Sequence, residues 1–352
     1  MVLVRFCQIS SNPNERSRAL MSEMKSSSAR KVLVTGSRGK SSIVRLLHAA
    51  LHDAGLRTYA RITGVVPREF GLKGVRTISR SSAAHVEEMR WWLRQLPASA
   101  QAIILENSAI ALELQALAGR WLRPDITVFT NARPDHQEVW GPTGACAAEA
   151  LTAGVPRGSQ LILPAGLQTD SYLLELLERR ACRFVFAEPA ADAGETFQAI
   201  NMGLALCTVE QLGLEMAPAL QAMRAVKQDK YDFRVLNCGG AEVAMAFSAN
   251  DIASTRTLFR SLLWPEEETR LIYNHRADRP GRFRSFVDWL GNSHWREVLI
   301  IGDKPRMRPG SAQYLKIKNE KEFLRLFQPG DRVFGCGNIA GLPLSLTADL
   351  SG

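Results

Sequence analysis

Short hydrophobic runs alternate with amphipathic segments along most of the chain from Lys31 onward. In the first part of the chain these runs predict β-strands at 32–35, 102–105, 126–130, 161–163 and 184–186. The segment after the first run places Ile43, Leu47 and Leu51 on one face of a helix with a period of 3.6 residues. Strands and helices that alternate in this way indicate βαβ units and a mostly parallel sheet.

The alternation of strands and helices is interrupted once and then resumes. A helical zone at 197–225 is followed by the polar stretch VKQDKYDFR, and strands are predicted again at 243–247, 270–273, 298–301 and 332–334. We therefore expect a domain boundary near Asn237. The predicted division is an N-terminal extension at 1–30, a central α/β domain at 31–236 and a smaller α/β domain at 237–352.

Composition narrows the class of protein. The 352 residues include 46% hydrophobic and 22% charged residues, which is typical of a globular chain long enough for two domains. The net charge of +9 lacks an accompanying stripe of basic and aromatic residues, so we expect no nucleic-acid partner. The six cysteines form no CxxC pair, and neither a signal peptide nor a membrane span is predicted. We expect a cytoplasmic protein that reaches a membrane only through a partner.

The segment VTGSRGKSS at 34–42 carries the clearest chemistry. A full P-loop begins with a glycine where this chain has Val34, so only the shorter form is present. Glycines let backbone N–H groups turn toward phosphate, and the helix N-terminus adds partial positive charge. The alternative is a strand-to-helix turn whose glycines serve chain geometry only. Its place between a strand and an amphipathic helix favours a phosphate loop, with these cofactor-binding residues: Gly36, Ser37, Arg38, Gly39, Lys40, Ser41 and Ser42.

Metal ligands are expected beside such a loop. Glu106 follows the strand at 102–105, and His136 follows the strand at 126–130, so both should lie past the carboxyl ends of parallel strands. A buried carboxylate there is costly without a cation, which favours Glu106 as a ligand. Taken alone, His136 also fits a hydrogen-bonded structural histidine. We predict a Mg²⁺ site formed by Ser41, Glu106 and His136.

With these segments in view, the sequence resembles the Mur ligase superfamily, and within it the ligase subunits of bacterial poly-γ-glutamate (capsule) synthetases. In the central domain the resemblance is carried by VTGSRGKSS, ILENSA, TNARPDHQEVWGPT and INMGLALCTVEQLGL. In the second domain it is carried by AFSANDIAST, YNHRADRP and GCGNIAG. Several motifs in the family's order make the resemblance specific, although each one alone is weak.

The resemblance implies an enzyme that binds ATP at a P-loop ATPase domain and closes a Rossmann-like C-terminal domain over it. Such an enzyme converts a carboxylate into an acyl phosphate, and an amine then displaces the phosphate. Lys40, Glu106 and His136 would be catalytic, and Ser41 would share the Mg²⁺ ion. The remaining implied contacts are with adenine, ribose, phosphate and the closing surface: Asn201, Asn250, Asp251, Arg276 and Asp278.

Two departures from the family shape the substrate prediction. The family's subunit usually begins with a hydrophobic anchor, and this sequence begins with a polar extension; about thirty residues also do not build the N-terminal domain of complete Mur enzymes. We therefore expect an amino acid or γ-linked glutamyl substrate, not a cell-wall precursor. Candidate carboxylate-binding residues are Arg61, Arg68 and Arg133, each of which also fits an ordinary surface arginine.

Other functions stay open at this point. A soluble ligase that adds a single unit in a small-molecule pathway competes with a polymer-forming enzyme. A P-loop kinase or nucleotide-dependent switch would use the same loop without making amides, and a non-catalytic subunit would keep only the fold. Arg276, Arg279 and Arg282 also fit a solvated basic loop. The sequence does not fix the substrates, and oligomerisation is left open.

Overall fold

The computed structural model describes residues 29–80, 84–191, 196–292 and 294–349. Apart from Ala29 and Arg30, the predicted N-terminal extension lies outside these ranges. The described chain forms two β-sheets, one of eight strands and one of six, each with helices against both faces. The predicted mixed α/β class is confirmed.

The first sheet has the strand order β4-β3-β2-β5-β1-β6-β7-β8. Its strands are β1 (Arg30–Thr35), β2 (Thr58–Ile62), β3 (Arg68–Gly71), β4 (Gly74–Thr77), β5 (Ala102–Glu106), β6 (Ile126–Phe129), β7 (Gln160–Pro164) and β8 (Arg183–Ala187). All neighbours pair in parallel except β3, which is antiparallel to both β2 and β4. The chain leaves β1 toward β2 and later returns to β6 on the other side, so β1 and β6 flank the topological switch point where ligands bind in open α/β sheets.

Helices cover both faces of this sheet. They are α1 (Lys40–Asp53), α2 (Glu87–Gln95), α3 (Leu117–Leu122), α4 (Gln137–Trp140), α5 (Gly144–Thr152), α6 (Ser171–Glu178), α7 (Phe197–Gln211) and α8 (Met216–Arg224). Along β1, Val32 and Val34 pack into the cluster that contains α1, while Leu33 points to the opposite cluster, as the twofold repeat of a strand requires. Both faces of the central strands are therefore dry, and their polar ends are held rigidly.

Two features of this domain differ from the predictions. The helical zone at 197–225 is two helices, because Gly213 adopts a positive φ of 71° that ends the first of them. Strands β2, β3 and β4 were not predicted. β3 and β4 are short, and all of β4 is exposed, so they lack a hydrophobic run that sequence reading can detect.

The second sheet has the order β13-β12-β11-β14-β10-β9, and only β9 runs antiparallel to its neighbour. Its elements are β9 (Val235–Cys238), β10 (Ala241–Met245), α9 (Ile252–Ser261), β11 (Thr269–His275), α10 (Pro280–Asn292), β12 (Glu297–Gly302), β13 (Gln313–Tyr314), α11 (Glu320–Leu324), β14 (Arg332–Gly337) and α12 (Leu342–Asp349). The first of these strands starts at Val235, slightly before the boundary expected near Asn237, which stays a prediction. Among the helices of the described ranges, none combines the length and apolar character needed to cross a lipid bilayer.

Candidate active site

The phosphate-loop segment connects β1 to α1 at the switch point of the first sheet. Gly36 has a φ of 122° and Gly39 a φ of 85°, and both conformations are unfavourable for residues with a Cβ atom. A Cβ atom on Gly36 would lie 2.2 Å from Thr130 Oγ1, and one on Gly39 would lie 2.6 Å from Asn201 Oδ1. The glycines are therefore required by close packing as well as by the turn, and Asn201 lies directly against the loop.

Lys40 folds back over this loop. Its Nζ donates to the carbonyl oxygens of Gly36 at 2.6 Å and Ser37 at 3.3 Å. Burial is the largest influence and lowers the pKa of Lys40, while Glu106 and Asp135 act in the opposite direction. The ammonium group is thus held at the loop, where a phosphate oxygen would be a stronger partner than a neutral carbonyl.

Glu106 ends β5 beside the loop and is only 3% exposed. Its carboxylate accepts hydrogen bonds from Ser41 Oγ at 2.8 Å, from the Thr63 backbone N–H at 3.1 Å and from Thr63 Oγ1 at 3.0 Å. The structure thus brings the predicted residues Ser41 and Glu106 together. Thr63 was not predicted as a site residue, because the strand β2 that it directly follows was not predicted either.

His136 lies at the start of α4 in a left-handed conformation with a φ of 42°. Burial is the main cause that lowers its pKa to about 4, and it outweighs the opposing effect of Asp135. Arg279 Nη1 lies 3.1 Å from His136 Nδ1. Because a guanidinium group can only donate, Nδ1 acts as the acceptor, and the imidazole is neutral with its proton on Nε2. In this arrangement an arginine of the second domain occupies one of the two ring nitrogens through which a histidine can bind a metal ion.

An ion-pair network that sequence reading missed joins the loop to the second domain. Arg38 Nη1 lies 3.0 Å from Asp135 Oδ2, and Arg38 Nε lies 3.2 Å from Asp251 Oδ2. Asp135 also lies 3.8 Å from Arg282 Nη2 on α10. Asp251 caps α9 by accepting from the Ser254 backbone N–H at 2.8 Å. One arginine of the phosphate loop therefore pairs with acids of both domains.

The phosphate loop and the network residues Arg38, Asp135 and Arg282 line a cleft of about 760 Å³ between the two domains, whereas Asp251 does not line it. The cleft is lined by most of the predicted residues, namely Gly36, Ser37, Arg38, Gly39, Lys40, Ser41, Ser42, Glu106, His136, Asn250 and Arg276. Asp278 is not among the lining residues. It forms a two-bond pair with Arg276, at 2.9 and 2.6 Å, and its side chain is 58% exposed. The expected ribose and phosphate contacts of Arg276 and Asp278 stay predictions.

The three arginines proposed as carboxylate-binding residues have other contacts. Arg61 lies in β2 with 1% exposure and donates to Glu88 at 2.5 Å, so it is no surface arginine. Arg68 forms an ion pair with Asp229. Arg133 donates to Ser254 Oγ at 2.9 Å and lies 4.8 Å from the ring centre of Phe197. Arg61 and Arg133 do not line the cleft.

The chemistry of the loop region fits a hard divalent cation. Ser41, Thr63 and Glu106 supply hydroxyl and carboxylate oxygens, which such ions prefer. Within the described ranges no group of three or more His, Cys, Asp or Glu side chains is arranged to hold a metal ion by itself. A metal site here therefore needs ligands from hydroxyl groups, water or a bound phosphate, as is usual for ions that accompany nucleotides.

Comparison with known proteins agrees with this geometry. The Mur ligase middle domain family model matches residues 34–206, and the model for the poly-gamma-glutamate synthase CapB C-terminal domain matches residues 234–352. A PGA synthase CapB of Bacillus subtilis (strain 168) is 25% identical over 88% of this chain and 87% of its own length. A capsule biosynthesis protein CapB of Bacillus anthracis is 26% identical over 78% of this chain and 63% of its own length.

Solved structures extend the comparison to the fold. A bifunctional folylpolyglutamate synthase/dihydrofolate synthase with Mn, AMPPNP and L-glutamate bound aligns with 95% of this chain and 92% of its own, at a TM-score of 0.64 and 14% identity. At that identity the likeness concerns the fold alone. The two family models together account for both domains and for the phosphate loop. The chain belongs to the Mur ligase superfamily of ATP-dependent carboxylate–amine ligases.

Proposed function

We propose that this protein is an ADP-forming amide ligase that activates the carboxylate of a glutamate-like amino acid as an acyl phosphate for attack by an amine. The observation that carries the proposal is the cluster beneath the phosphate loop. There the ammonium group of Lys40 is held against the loop, and Ser41 Oγ lies 2.8 Å from the Glu106 carboxylate. A cationic donor, a cluster of oxygen ligands and a glycine loop are the parts that phosphoryl transfer from ATP requires.

The reaction has two steps. An oxygen of the substrate carboxylate attacks the γ-phosphorus of ATP, and the bond from that phosphorus to the β–γ bridging oxygen breaks, which releases ADP. The amine nitrogen of the second substrate then attacks the acyl carbon, inorganic phosphate leaves, and the amine gives up a proton. A carboxylate is a poor electrophile, and conversion to a mixed anhydride supplies the leaving group. The phosphate loop directs the reaction to the terminal phosphate, which favours ADP over AMP as the product.

The protein's own contribution is positioning and charge stabilisation. Lys40 neutralises charge on the transferred phosphoryl group. Arg38 links the loop to the second domain through its ion pairs. Its Nη2 group is buried and has no hydrogen-bond partner among the described residues, so Arg38 has a free donor for a phosphate oxygen. Ser41 and Glu106 would hold a divalent cation, for which we propose Mg²⁺; the ion would screen the phosphate charges. Asn201, Asn250 and Arg276 are proposed to contact the nucleotide.

The second domain is proposed to act as a lid. Arg279 reaches His136, and the Gly281 backbone N–H donates to Glu138 at 3.2 Å, so the two domains touch at the rim of the cleft. An acyl phosphate hydrolyses when water reaches it, and a closed lid protects it until the amine attacks. When the nucleotide is bound, we propose that Arg279 moves from His136 to a phosphate, which frees His136 as a metal ligand.

The nature of the substrate is the finer part of the proposal. The similar proteins from Bacillus are described as a PGA synthase and a capsule biosynthesis protein, and the folylpolyglutamate synthase/dihydrofolate synthase of similar fold was solved with L-glutamate. These descriptions support glutamate or a γ-linked glutamyl chain as substrate. A ligase that adds a single unit is the alternative. The free thiols of the described cysteines fit a reducing compartment, so we propose the cytoplasm.

Product analysis tests the proposal. The purified protein is incubated with ATP, Mg²⁺ and each of the twenty amino acids, alone and in pairs, and ADP, phosphate and coupled products are measured. We expect ADP and phosphate release that depends on both a carboxylate and an amine, with glutamate as the preferred acid. A ladder in the mass spectrum indicates polymerisation, and one added unit indicates single addition. A stable phosphate ester of a hydroxyl acceptor, or steady turnover without amine, would show a kinase or an ATPase instead.

A further inference from the structure

A second cationic group lines the cleft in the first domain, outside the phosphate loop. Arg80 is among the lining residues, and its guanidinium group is fixed by Glu88 on α2. Arg80 Nε donates to Glu88 Oε1 at 2.9 Å, and Arg80 Nη2 donates to Glu88 Oε2 at 2.8 Å. The His85 backbone N–H also donates to Glu88 Oε1 at 3.1 Å. Glu88 therefore holds one edge of Arg80 and leaves its end-on edge, formed by Nη1 and the second proton of Nη2, for another acceptor.

A buried arginine lies behind this pair. Arg61 Nη2 donates to Glu88 Oε2 at 2.5 Å, and the Arg61 side chain is 1% exposed. Arg61 Nη1 is buried and has no hydrogen-bond partner among the described residues. Two guanidinium groups thus share one carboxylate, which leaves the group with a net positive charge. Glu88 is 14% exposed and Arg80 is 23% exposed, so Arg80 is the member that faces solvent most.

This arrangement of two arginines around one carboxylate does not favour folding. Burial of a guanidinium group that lacks a carboxylate of its own costs free energy, and burial lowers the pKa of Arg61. By contrast, Arg68, which also lines the cleft, is already paired with Asp229. An anion that joined Arg80 would complete the charge balance of the group.

The position of the group along the sheet suggests which anion it binds. Arg61 lies in β2, Glu106 ends the neighbouring strand β5, and the phosphate loop follows β1, which is next in the sheet. The Glu106 cluster therefore lies between the strand of Arg61 and the phosphate loop. An acidic amino acid has two carboxylates, and only one of them is activated. The second needs a partner in the cleft.

We propose that Arg80, supported by Glu88 and Arg61, binds the carboxylate of the acidic substrate that does not react. This inference rests on the proposed function. It assigns a specificity role to a residue outside the phosphate loop and its metal ligands, and it names the ligand by its chemistry: the spectator carboxylate of glutamate or of a γ-glutamyl chain end. A guanidinium group suits this role because it binds a carboxylate through two parallel hydrogen bonds.

The test compares two acids that differ by one group. L-Glutamate carries the spectator carboxylate, and 4-aminobutanoate is the same molecule without it. For Arg80→Ala we expect kcat/KM for glutamate to fall about 10- to 100-fold, the loss that follows from removal of hydrogen bonds to a charged group. The rate with 4-aminobutanoate and the KM for ATP should stay near the wild-type values. Glutamate binding by calorimetry, with a non-hydrolysable ATP analogue present, provides a second measurement that needs no turnover.

Two further variants complete the test. Arg80→Lys keeps the charge without the planar fork, and we expect an intermediate loss for glutamate. Arg76→Ala is the matched control, because Arg76 lies on the nearby strand β4, is 75% exposed and pairs only with Glu69 among the described residues. Equal losses for both acids in Arg80→Ala would indicate a merely structural role and overturn the inference. If the wild-type protein releases no ADP with glutamate and an amine, the proposed function itself fails, and the two failures are thereby distinguished.

Discussion

The two sides of the cleft are built in different ways. On the phosphate-loop side, backbone turns and short hydrogen bonds fix the groups, and Glu106 is 3% exposed. On the side of the second domain the groups are long guanidinium side chains on the loop after β11 and on α10. There the Arg276 side chain is 37% exposed, and its partner Asp278 is 58% exposed. One side is preorganised within a single sheet, whereas the other depends on how the second domain lies against it.

This difference indicates that the two sides of the cleft have different roles in the reaction. Groups that stabilise charge in the transition state work best when they are already in place, because no reorganisation is needed at the moment of reaction. Groups that admit substrate and exclude water must move. We therefore expect substitutions on the phosphate-loop side to lower the rate of chemistry. Substitutions on the other side should mainly change ATP affinity and closure.

The largest effect is expected for Lys40→Ala. Among the described residues, Lys40 is the only lysine that lines the cleft. Its ammonium group is held by two carbonyl oxygens of the loop. Removal of such a charge from a phosphoryl-transfer site lowers kcat by about 10³-fold. Because burial of the ammonium group is itself unfavourable, the melting temperature should not fall. ADP release assays and thermal melts check both statements, and Lys73→Ala, on the exposed turn between β3 and β4, is the control.

Gly36→Ala tests whether the loop backbone is as strictly required as its packing suggests. An added methyl group combines the cost of a φ of 122° with a contact of 2.2 Å to Thr130 Oγ1, and we expect a loss of about 3–5 kcal/mol in the free energy of unfolding. Gly74→Ala is the matched control, because Gly74 has a φ of 104° with nothing within 4 Å of the added atom. It isolates the backbone cost, about 1–2 kcal/mol. Similar losses in both variants would show that the loop tolerates the methyl group.

Much of the fold could be predicted from the sequence. The hydrophobic runs of β1, β5 and β6 lie at the centre of a sheet, where burial on both faces makes the pattern strong. The short strands β3 and β4 at one end of the sheet could not be found in the same way, because β3 buries only Phe70 and all of β4 is exposed. Tertiary pairing, not local preference, forms them.

The site shows the same limit. Gly36, Lys40 and Ser41 were predictable because adjacent positions in one loop need particular residue types, and the motif records that need. The pairs Arg38–Asp251 and Arg61–Glu88 join residues far apart in the sequence, and their partners depend on how strands and domains meet. The sequence therefore offered Arg61 as a candidate carboxylate-binding residue, but it did not reveal that Arg61 is buried behind Glu88.

Asp251→Asn tests the link between the two sides. Asparagine can still cap α9 by accepting from the Ser254 backbone N–H, so the helix should keep its stability. The charge that pairs with Arg38 Nε at 3.2 Å is lost. We expect kcat to fall about tenfold, which is about 1.4 kcal/mol and matches the loss of one hydrogen bond on closure, with a change in unfolding free energy below about 1 kcal/mol. Asp251→Ala, which removes cap and charge together, should lower stability as well. Unchanged kcat in Asp251→Asn would mean that closure does not use this pair.

The smallest effect is expected for Arg276→Ala. In this structure both Nε and Nη2 of Arg276 are occupied by Asp278, and a pair this exposed contributes little to stability. Arg276 would contribute to ATP binding only when ATP draws its guanidinium group into the cleft. The gain in binding free energy is then reduced, because the hydrogen bonds to Asp278 are lost. We expect a two- to fivefold rise in KM for ATP, about 0.4–1 kcal/mol, with kcat nearly unchanged. Steady-state kinetics measure both constants. A fall in kcat comparable to that of Lys40→Ala would break the comparison, because it would show that the mobile side of the cleft also stabilises the transition state.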